Sequence, residues 1–538
     1  MSGFKKIISA FSYQKVFWGL FYLFIFCLLL NNSYKSLDPD LGWHLKVGED
    51  IIREGSVPHL NYYNYTLEGK TWVDHEWLLN AFVYVVYTGF GNIGLNIIFA
   101  LIIILTLAIL HYSLKNQLSS RPSGVFFFIF FMILGVVAMS PHLGIRLQEI
   151  GLLFLTLTFL VISRFEVNKR FRVLFWLIPL FYLWAVAHAS FLIGIFILFF
   201  WLGVKIAEKL IFENFDSSKL ASVFRIDRPL SWKQALIFGV FSLISFIVTF
   251  ATPYGFDLYA NFVKDCFNTY YLTHISEWLP AWYFPLAYWQ LVFMALAIAS
   301  IILIWLNRTK EIMLKPWDTA LIIFFVLASF KSKRHFPLLF VSIFPLIIKN
   351  YFNIFGLSAQ KEFYDKANFL KLFIIITLIL SSISLILKTN FTKDPFKNFC
   401  ADYPCQAVNF LKGQPQYADY NILNEYGWGG YLIWTWPERK YFIDGRMPQY
   451  PFNGKSFLEE YMEFFDENKA KEKLDQHDIR LLLIKSNEEE YKFNWFEKFI
   501  LRAKDHSNDR NYLKEFVSSS PDWGAVYSDP SAIIYAKK

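Results

Sequence analysis

Cysteine is nearly absent, with four residues in 538. That is too few for a disulfide scaffold or a zinc ribbon. Cys27 lies inside an apolar run and Cys266 stands alone, so only Cys400 and Cys405 are close enough in sequence to suggest a bridge. Charge is also sparse, at 18% Asp, Glu, Lys and Arg. The Lys and Arg behind the net +8 are dispersed among linkers and form no basic stripe on a soluble domain, so nucleic acid is not an expected partner. No HExxH or CxxC pattern occurs, there is no low-complexity linker, and no internal repeat of about 20–50 residues is evident.

Apolar residues are abundant: 55% of the chain is hydrophobic and 20% aromatic. They are gathered into runs long enough to cross a bilayer, separated by short charged segments, which identifies a polytopic membrane protein. The 60 Phe carry no functional weight, because any large apolar side chain serves on a lipid-facing surface. The amino terminus has Lys5, Lys6 and Lys15 before an apolar run, but "NNSYKSLDPD" lacks a small-residue cleavage site, so an uncleaved first span is expected.

Spans are expected near 16–32, 92–112, 124–140, 150–164, 172–187, 191–208, 235–252, 287–306, 318–331, 336–349 and 369–388, about eleven in all. Residues 77–90, "WLLNAFVYVVYTGF", would reach only about 21 Å as a helix, short of a core of about 30 Å, and read as re-entrant or interfacial. With the amino terminus in the cytoplasm, the inner connections hold about 22 Lys and Arg against about nine in the outer ones, the register that the positive-inside rule favours. Asp38, Asp40, His44, Asp74, His75, Glu76, Arg146, Glu149, His188, Tyr254, Glu277, Arg334 and His335 then all fall on the outer side. Residues 1–388 form the membrane domain, with a first external loop at 33–76. Residues 389–538 read as an extracytoplasmic α/β domain with strands at "YNILN", "KYFID", "RLLLIK", "WGAVYSD" and "AIIYAKK" and helices at "SFLEEYMEFFDENKAKEKL" and "EEEYKFNWFEKFILRAK".

Several patterns carry chemistry, each with a structural alternative. In "LDPDLGWHL", a carboxylate just beyond a span can act as general base or hold a sugar hydroxyl, and Pro39 disfavours helix at Asp38. The alternative is that Asp38 caps a helix ending at Gly55, and both can hold at once. "WVDHEWL" places Asp74, His75 and Glu76 between Trp72 and Trp77, which suits a sugar site better than zinc, since adjacent helical residues do not face each other. The alternative is an interfacial aromatic belt with Asp74 as cap. Arg146, Lys331, Lys333, Arg334 and His335 are cations on the outer side, suited to a phosphate or to headgroup contact. His188 reads as a packed histidine. In the tail, "NEYGWGGYLIWTWPERKYFIDGR" offers Gly427, Gly429 and Gly430 for close backbone approach and Tyr426, Trp428, Tyr431 and Trp434 as stacking faces, with Asp444 and Arg446 beyond. It lacks the spacing of a phosphate loop, and its alternative is a tight strand-to-helix turn.

The stretches "DPDLGWHLKVGEDIIREGSVPHLNYYNYT", "WVDHEWL", "RLQEIGLLFLTLTFLVIS", "WAVAHASFLIG", "TPYGFDLY", "ISEWLP", "KRHFPLLF" and "GWGGYLIWTWPERKYFIDGR" resemble, along nearly the whole chain, a group of bacterial polytopic proteins related to the GT-C glycosyltransferases. That superfamily includes oligosaccharyltransferase catalytic subunits, protein mannosyltransferases and aminoarabinose transferases. The resemblance implies a bacterial inner-membrane enzyme with an extracytoplasmic site, a polyprenyl-phosphate-linked sugar donor and a catalytic Asp in the first external loop, where Asp38 and Asp40 stand. "NEYGWGGY" lacks the Trp-Trp-Asp of the oligosaccharyltransferase acceptor motif, so sequon reading is not carried over. "PHLGIRLQE" lacks that family's paired acidic metal motif, so no metal or other cofactor is fixed by the sequence.

The expectation is therefore an inverting transferase moving sugar to a glycan, lipid or protein acceptor. Asp38 or Asp40 is the base, Arg146 and the Lys331–His335 cluster stabilise the leaving phosphate, and Glu277 is the candidate second carboxylate for donor or divalent cation. His44, Trp72, Asp74, His75, Glu76, Tyr254, Tyr426, Trp428, Asp444 and Arg446 are candidate sugar or acceptor contacts, and membrane lipids are the surrounding partners. The alternative is a non-catalytic scaffold or lipid-linked glycan carrier. The carrier is disfavoured because a carrier places ionisable or Gly/Pro-broken sites at mid-span, and this does not weigh against the scaffold.

Overall fold

The computed structural model describes residues 13–115, 118, 122–214, 224, 229–275, 277–280, 288–309, 312–355, 368–486, 493–500, 502 and 511–538. Among these, helices occupy each of the eleven expected spans. Seven are long and apolar enough to cross a membrane, and Phe171–Ala187, Trp232–Val248 and Phe373–Lys388 are shorter apolar helices. The chain is a multi-pass α-helical membrane protein with a C-terminal α/β unit. Leu101, Leu105, Leu236 and Leu327 stand exposed on these helices, as lipid-facing positions do, while Phe181, Trp184, Trp201 and Phe238 fill the interior of the bundle.

The run at 77–90 is helical and continuous with the next span in Trp77–Ser113, but Gly91, at φ 62° and ψ −161°, interrupts the helix between the two parts. That conformation is open to glycine and strained for other residues, so a glycine at the junction lets the chain change direction without a loop. The expected helix of the first loop is Leu41–Glu54, closed by Gly55, whose N–H returns to the Ile51 carbonyl. One face buries Leu41, Leu45 and Ile51. The other carries Lys46, which meets Glu49 at 2.6 Å and Asp50 at 3.0 Å, the division expected of an amphipathic helix lying on a surface.

The tail is built on a four-stranded sheet of order β1–β4–β6–β5, with β1 Asn421–Asn424, β4 Ile479–Lys485, β5 Trp523–Ser528 and β6 Ala532–Lys537. β1 runs parallel to β4, and β6 lies antiparallel to both β4 and β5. Pro451–Phe452 and Lys455–Ser456 form a separate two-stranded hairpin, β2–β3. Of the five expected strands, "KYFID" is not one. Its Tyr441 makes a single parallel bridge to Asn64 of the first loop, with Tyr441 N–H donating to the Tyr63 carbonyl at 3.2 Å. The expected long helix at 456–474 is broken into Phe457–Met462, a 3-10 turn and Ala470–Gln476, and of "EEEYKFNWFEKFILRAK" the helix Trp495–Phe499 falls within the described residues.

Trp43, Val47, Ile51, Leu67 and Trp72 of the first loop belong to the same buried cluster as Ile422, Leu432, Tyr441 and Leu482 of the tail. Two segments far apart in sequence therefore share one core, and burial of that shared apolar surface is what holds the tail against the loop.

Candidate active site

The chain leaves Tyr13–Ser33, the first helix among the described residues, and turns at once. Asp40 N–H donates to Asp38 Oδ1 at 3.0 Å, an Asx turn made just ahead of Pro39's constraint. Asp40 then stands at the N-cap of Leu41–Glu54 without making a side-chain cap bond. Its Oδ1 accepts instead from Trp43 Nε1 at 2.8 Å. Of the two aspartates, Asp38 shapes the turn and Asp40 has its carboxylate turned toward Trp43 and the tail.

From Asp38 a line of alternating charge crosses four segments. Asp38 Oδ2 lies 3.9 Å from Arg146 Nε. Arg146 Nη1 meets Glu277 Oε1 at 3.3 Å, and Glu277 Oε2 meets Arg334 Nη1 at 3.1 Å. Arg334 Nη2 then donates to Gln148 Oε1 at 3.0 Å while its guanidinium lies 4.9 Å from the Trp278 ring centre. Ser332 Oγ donates to the Glu277 carbonyl at 2.7 Å, fixing the segment that carries the carboxylate. Burial alone would raise the Glu277 carboxyl, but Arg334 and then Arg146 outweigh it and hold the group below its ordinary value. Lys333 is half-buried in the same turn, His335 donates from Nδ1 to the Ala328 carbonyl at 3.0 Å, and Lys331 is exposed at the end of its helix.

At Asp40 the direction is opposite. Burial and then the Asp38 charge push its carboxyl up to about 8. Tyr426 of the tail lies within electrostatic reach of Asp40, Asp444 and Glu277, and burial keeps its phenol well above the ordinary value, so it faces them as a neutral hydroxyl.

The tail closes over the loop by backbone contact. A Cβ on Gly430 would lie 2.3 Å from the Pro39 carbonyl, and one on Gly42 would lie 2.1 Å from the Gly430 carbonyl. A Cβ on Gly445 would lie 2.0 Å from Asp40 Oδ1. The strand-to-helix turn is as expected, with β1 passing through the 3-10 turn Tyr426–Trp428 into the helix Gly429–Thr435, and backbones approach at Gly429 and Gly430 but not at Gly427, which has open space around it.

A second polar network lies behind the first. Ser190 N–H donates to His188 Nδ1 at 2.9 Å, which leaves the proton on Nε2 and directs it to Glu76 Oε1 at 3.0 Å. His44 Nδ1 donates to Asn80 Oδ1 at 2.6 Å, and Asn80 Nδ2 donates to Asp74 Oδ2 at 2.8 Å. Burial raises the Glu76 carboxyl, but His75 and the His188 hydrogen bond outweigh it and hold the group well below the carboxylate range. Burial keeps the His44 and His75 imidazoles low and pushes the Asp74 carboxyl up to about 7. His188 is the packed, satisfied histidine expected, buried and bonded to Ser190 and Glu76.

Other expected sugar contacts are internal. Trp428 is buried, with Nε1 donating to the Asp402 carbonyl at 2.8 Å. Arg446 Nη2 pairs with Asp444 Oδ2 at 2.7 Å and Asn64 Oδ1 at 3.0 Å, and its guanidinium sits 4.4 Å from the Tyr63 ring centre and 4.8 Å from that of Trp72. Trp72, Trp428, Asp444 and Arg446, expected as sugar contacts, thus lie buried in the loop–tail core, where Arg446 Nη1 has no hydrogen-bond partner among the described residues. Tyr254 is likewise buried, its hydroxyl donating to the Pro58 carbonyl at 2.7 Å. Cys400 and Cys405 form a disulfide. Both Glu277 oxygens face guanidinium groups, and among the described residues no three His, Cys, Asp or Glu side chains converge as metal ligands, so the groups present do not fit the divalent cation considered for Glu277.

Glu277→Gln is expected to cost about 1 kcal/mol, a small figure because the Glu277 side chain is 38% exposed. The wild-type advantage should be present above the unfolded carboxyl value of about 4 and vanish as pH falls through the lower folded value. Melting curves of the two proteins at pH 7 and pH 3 check this, and an advantage that grows toward acid would contradict the ion-pair assignment.

No family model matches the chain, and no curated protein matches it. Among solved structures, the apo form of the oligosaccharyltransferase of Archaeoglobus fulgidus is similar over 88% of this chain and 69% of that chain, with a TM-score of 0.49 and 12% sequence identity. At that identity the chemistry of the site itself has to carry any functional assignment.

Proposed function

We propose that the chain is an inverting membrane glycosyltransferase that moves a sugar from a polyprenyl-phosphate-linked donor to a glycan, lipid or protein acceptor outside the cytoplasm, with the tail on that same side. The observation that carries this reading is the Asp38–Asp40 pair, set beside Arg146, Glu277 and Arg334 at the ends of the spans and covered by the backbone of the tail. One side of the site offers a base and the other offers guanidinium groups, as displacement of a lipid phosphate requires.

Asp40 is the base. Once ionised, a carboxylate whose value is pushed up to about 8 is a far stronger base than an ordinary aspartate. It takes the acceptor hydroxyl's proton as that oxygen attacks the anomeric carbon, and the bond from that carbon to the phosphate oxygen breaks. The electron pair stays with the leaving phosphate. Arg146 and Arg334 each keep N–H groups beyond those engaged by Glu277, and these, with Lys333 at the same turn, stabilise the charge left there. Tyr426 supplies a neutral hydroxyl from the tail side, placed for the acceptor. The disulfide Cys400–Cys405 suits an oxidising compartment.

The test is transfer by purified full-length protein given a panel of polyprenyl-phosphate sugars and native membrane extract, as a function of pH. Wild-type rate should rise through about pH 8 as Asp40 ionises. Because the Asp38 charge raises the Asp40 value, the rising limb should move to lower pH in Asp38→Asn. A limb that stays in place removes Asp40 from the role of base. Equal transfer rates in the wild type, Asp38→Asn and Asp40→Asn would remove the first loop from the mechanism, and no transfer with any donor would favour the non-catalytic scaffold or carrier.

A further inference from the structure

At the opposite end of the bundle from this cluster, the ends of five membrane helices enclose a cavity of about 350 Å³ whose wall includes Glu166, Lys205, Lys315, Trp317, Asp318 and Lys349. Nothing in the transferase reading uses it. Its charges divide into two sets. Lys205 is already held, 2.9 Å from Glu166 and 3.0 Å from Glu208. Asp318 and Lys349 face the cavity within electrostatic reach of one another, yet neither makes a hydrogen bond or ion pair among the described residues. A half-buried carboxylate and a half-buried ammonium left in this state on one cavity wall each hold unsatisfied bonding capacity.

We propose that this cavity binds a phosphoethanolamine group, a phosphate and a primary ammonium a short chain apart, with Asp318 receiving the ammonium and Lys349, beside Lys315, the phosphate. A simple anion would satisfy Lys349 and set its charge against Asp318, and a simple cation would do the reverse. A zwitterion satisfies both. The position at helix ends is the depth of lipid headgroups, and Trp317 in the wall is the residue type favoured there. The helix that contributes Ile301 and Ile304 to the wall leaves Ile302, Trp305 and Leu306 exposed beside it, an apolar path for acyl chains. Phosphatidylethanolamine fits all three features, and soluble phosphoethanolamine fits the first.

Delipidated full-length protein is offered phosphatidylethanolamine, phosphatidylglycerol of the same acyl chains, or soluble phosphoethanolamine, and bound ligand is read by native mass spectrometry. Wild type is expected to retain phosphatidylethanolamine about tenfold or more over phosphatidylglycerol, with Asp318→Asn abolishing the preference and Lys349→Gln weakening both lipids. Soluble phosphoethanolamine binding as tightly as the lipid would assign the site to a soluble ligand of the same chemistry. Equal retention of the two lipids by wild type, or a preference that survives Asp318→Asn, overturns the proposal. The wild-type comparison needs no variant, and a photoreactive headgroup must label 313–319 or 349–353; labelling elsewhere also overturns it.

Discussion

Sugar transfer is expected to fall about a hundred- to ten-thousandfold in Asp40→Asn, with donor affinity changed little. The asymmetry follows from position. Asp40 makes no cap bond, so its carboxylate is not needed to start the helix, and an Asn there can still accept from Trp43 Nε1. What Asn cannot do is take a proton. The fold should also lose nothing at neutral pH. A carboxyl raised to about 8 is most at ease protonated, so its contribution to stability declines as pH rises from its unfolded value of about 4 through 8, and Asn removes that decline. Rates measured beside melting temperatures at pH 6 and pH 9 separate the two effects. A rate within about threefold of wild type, with the protein folded, would end Asp40's candidacy.

The second large effect is steric and lies in the tail. Gly430→Ala is expected to cost about 1–3 kcal/mol and to abolish most transfer, because its Cβ would lie 2.3 Å from the Pro39 carbonyl, a backbone atom held by the turn between the two aspartates. Either the tail lifts or the turn moves, and each displaces the carboxylates. Gly427→Ala is the control, since nothing lies within 4 Å of the Cβ it would add. Equal behaviour of the two alanine variants, in melting and in transfer, would show that the loop and tail do not meet as described.

Much of the frame is legible in the chain because its signals are local. Apolar runs place the spans, Gly55 ends the first-loop helix, and Gly429 and Gly430 mark a close approach. What was illegible is pairing over distance. Arg146 reads in the sequence only as a cation for a phosphate, and the fold adds Glu277, 131 residues later, as its partner. Trp72, Trp428, Asp444 and Arg446 have the composition of a sugar site, and the same residue types equally make a buried cation–aromatic joint. Asn80 stands in an apolar stretch, and only the packing of Leu41–Glu54 against it shows that it bridges His44 and Asp74. "KYFID" has the alternation of a strand, but its neighbour is the first loop and not the sheet, so it makes one bridge and stops.

The shared core also sets an order of events during synthesis. Thr66 and Phe442 are joined by a hydrogen bond across 376 residues. At about 5–20 residues per second the first loop emerges roughly 20–75 s before its partner exists. Through that interval Trp43, Val47, Ile51 and Trp72 have no tail to cover them, so the nascent chain presents an apolar face that must be shielded by the bilayer surface or by a holdase. A ribosome that stops short of residue 442 leaves a protein whose spans are complete and whose first loop is permanently sticky.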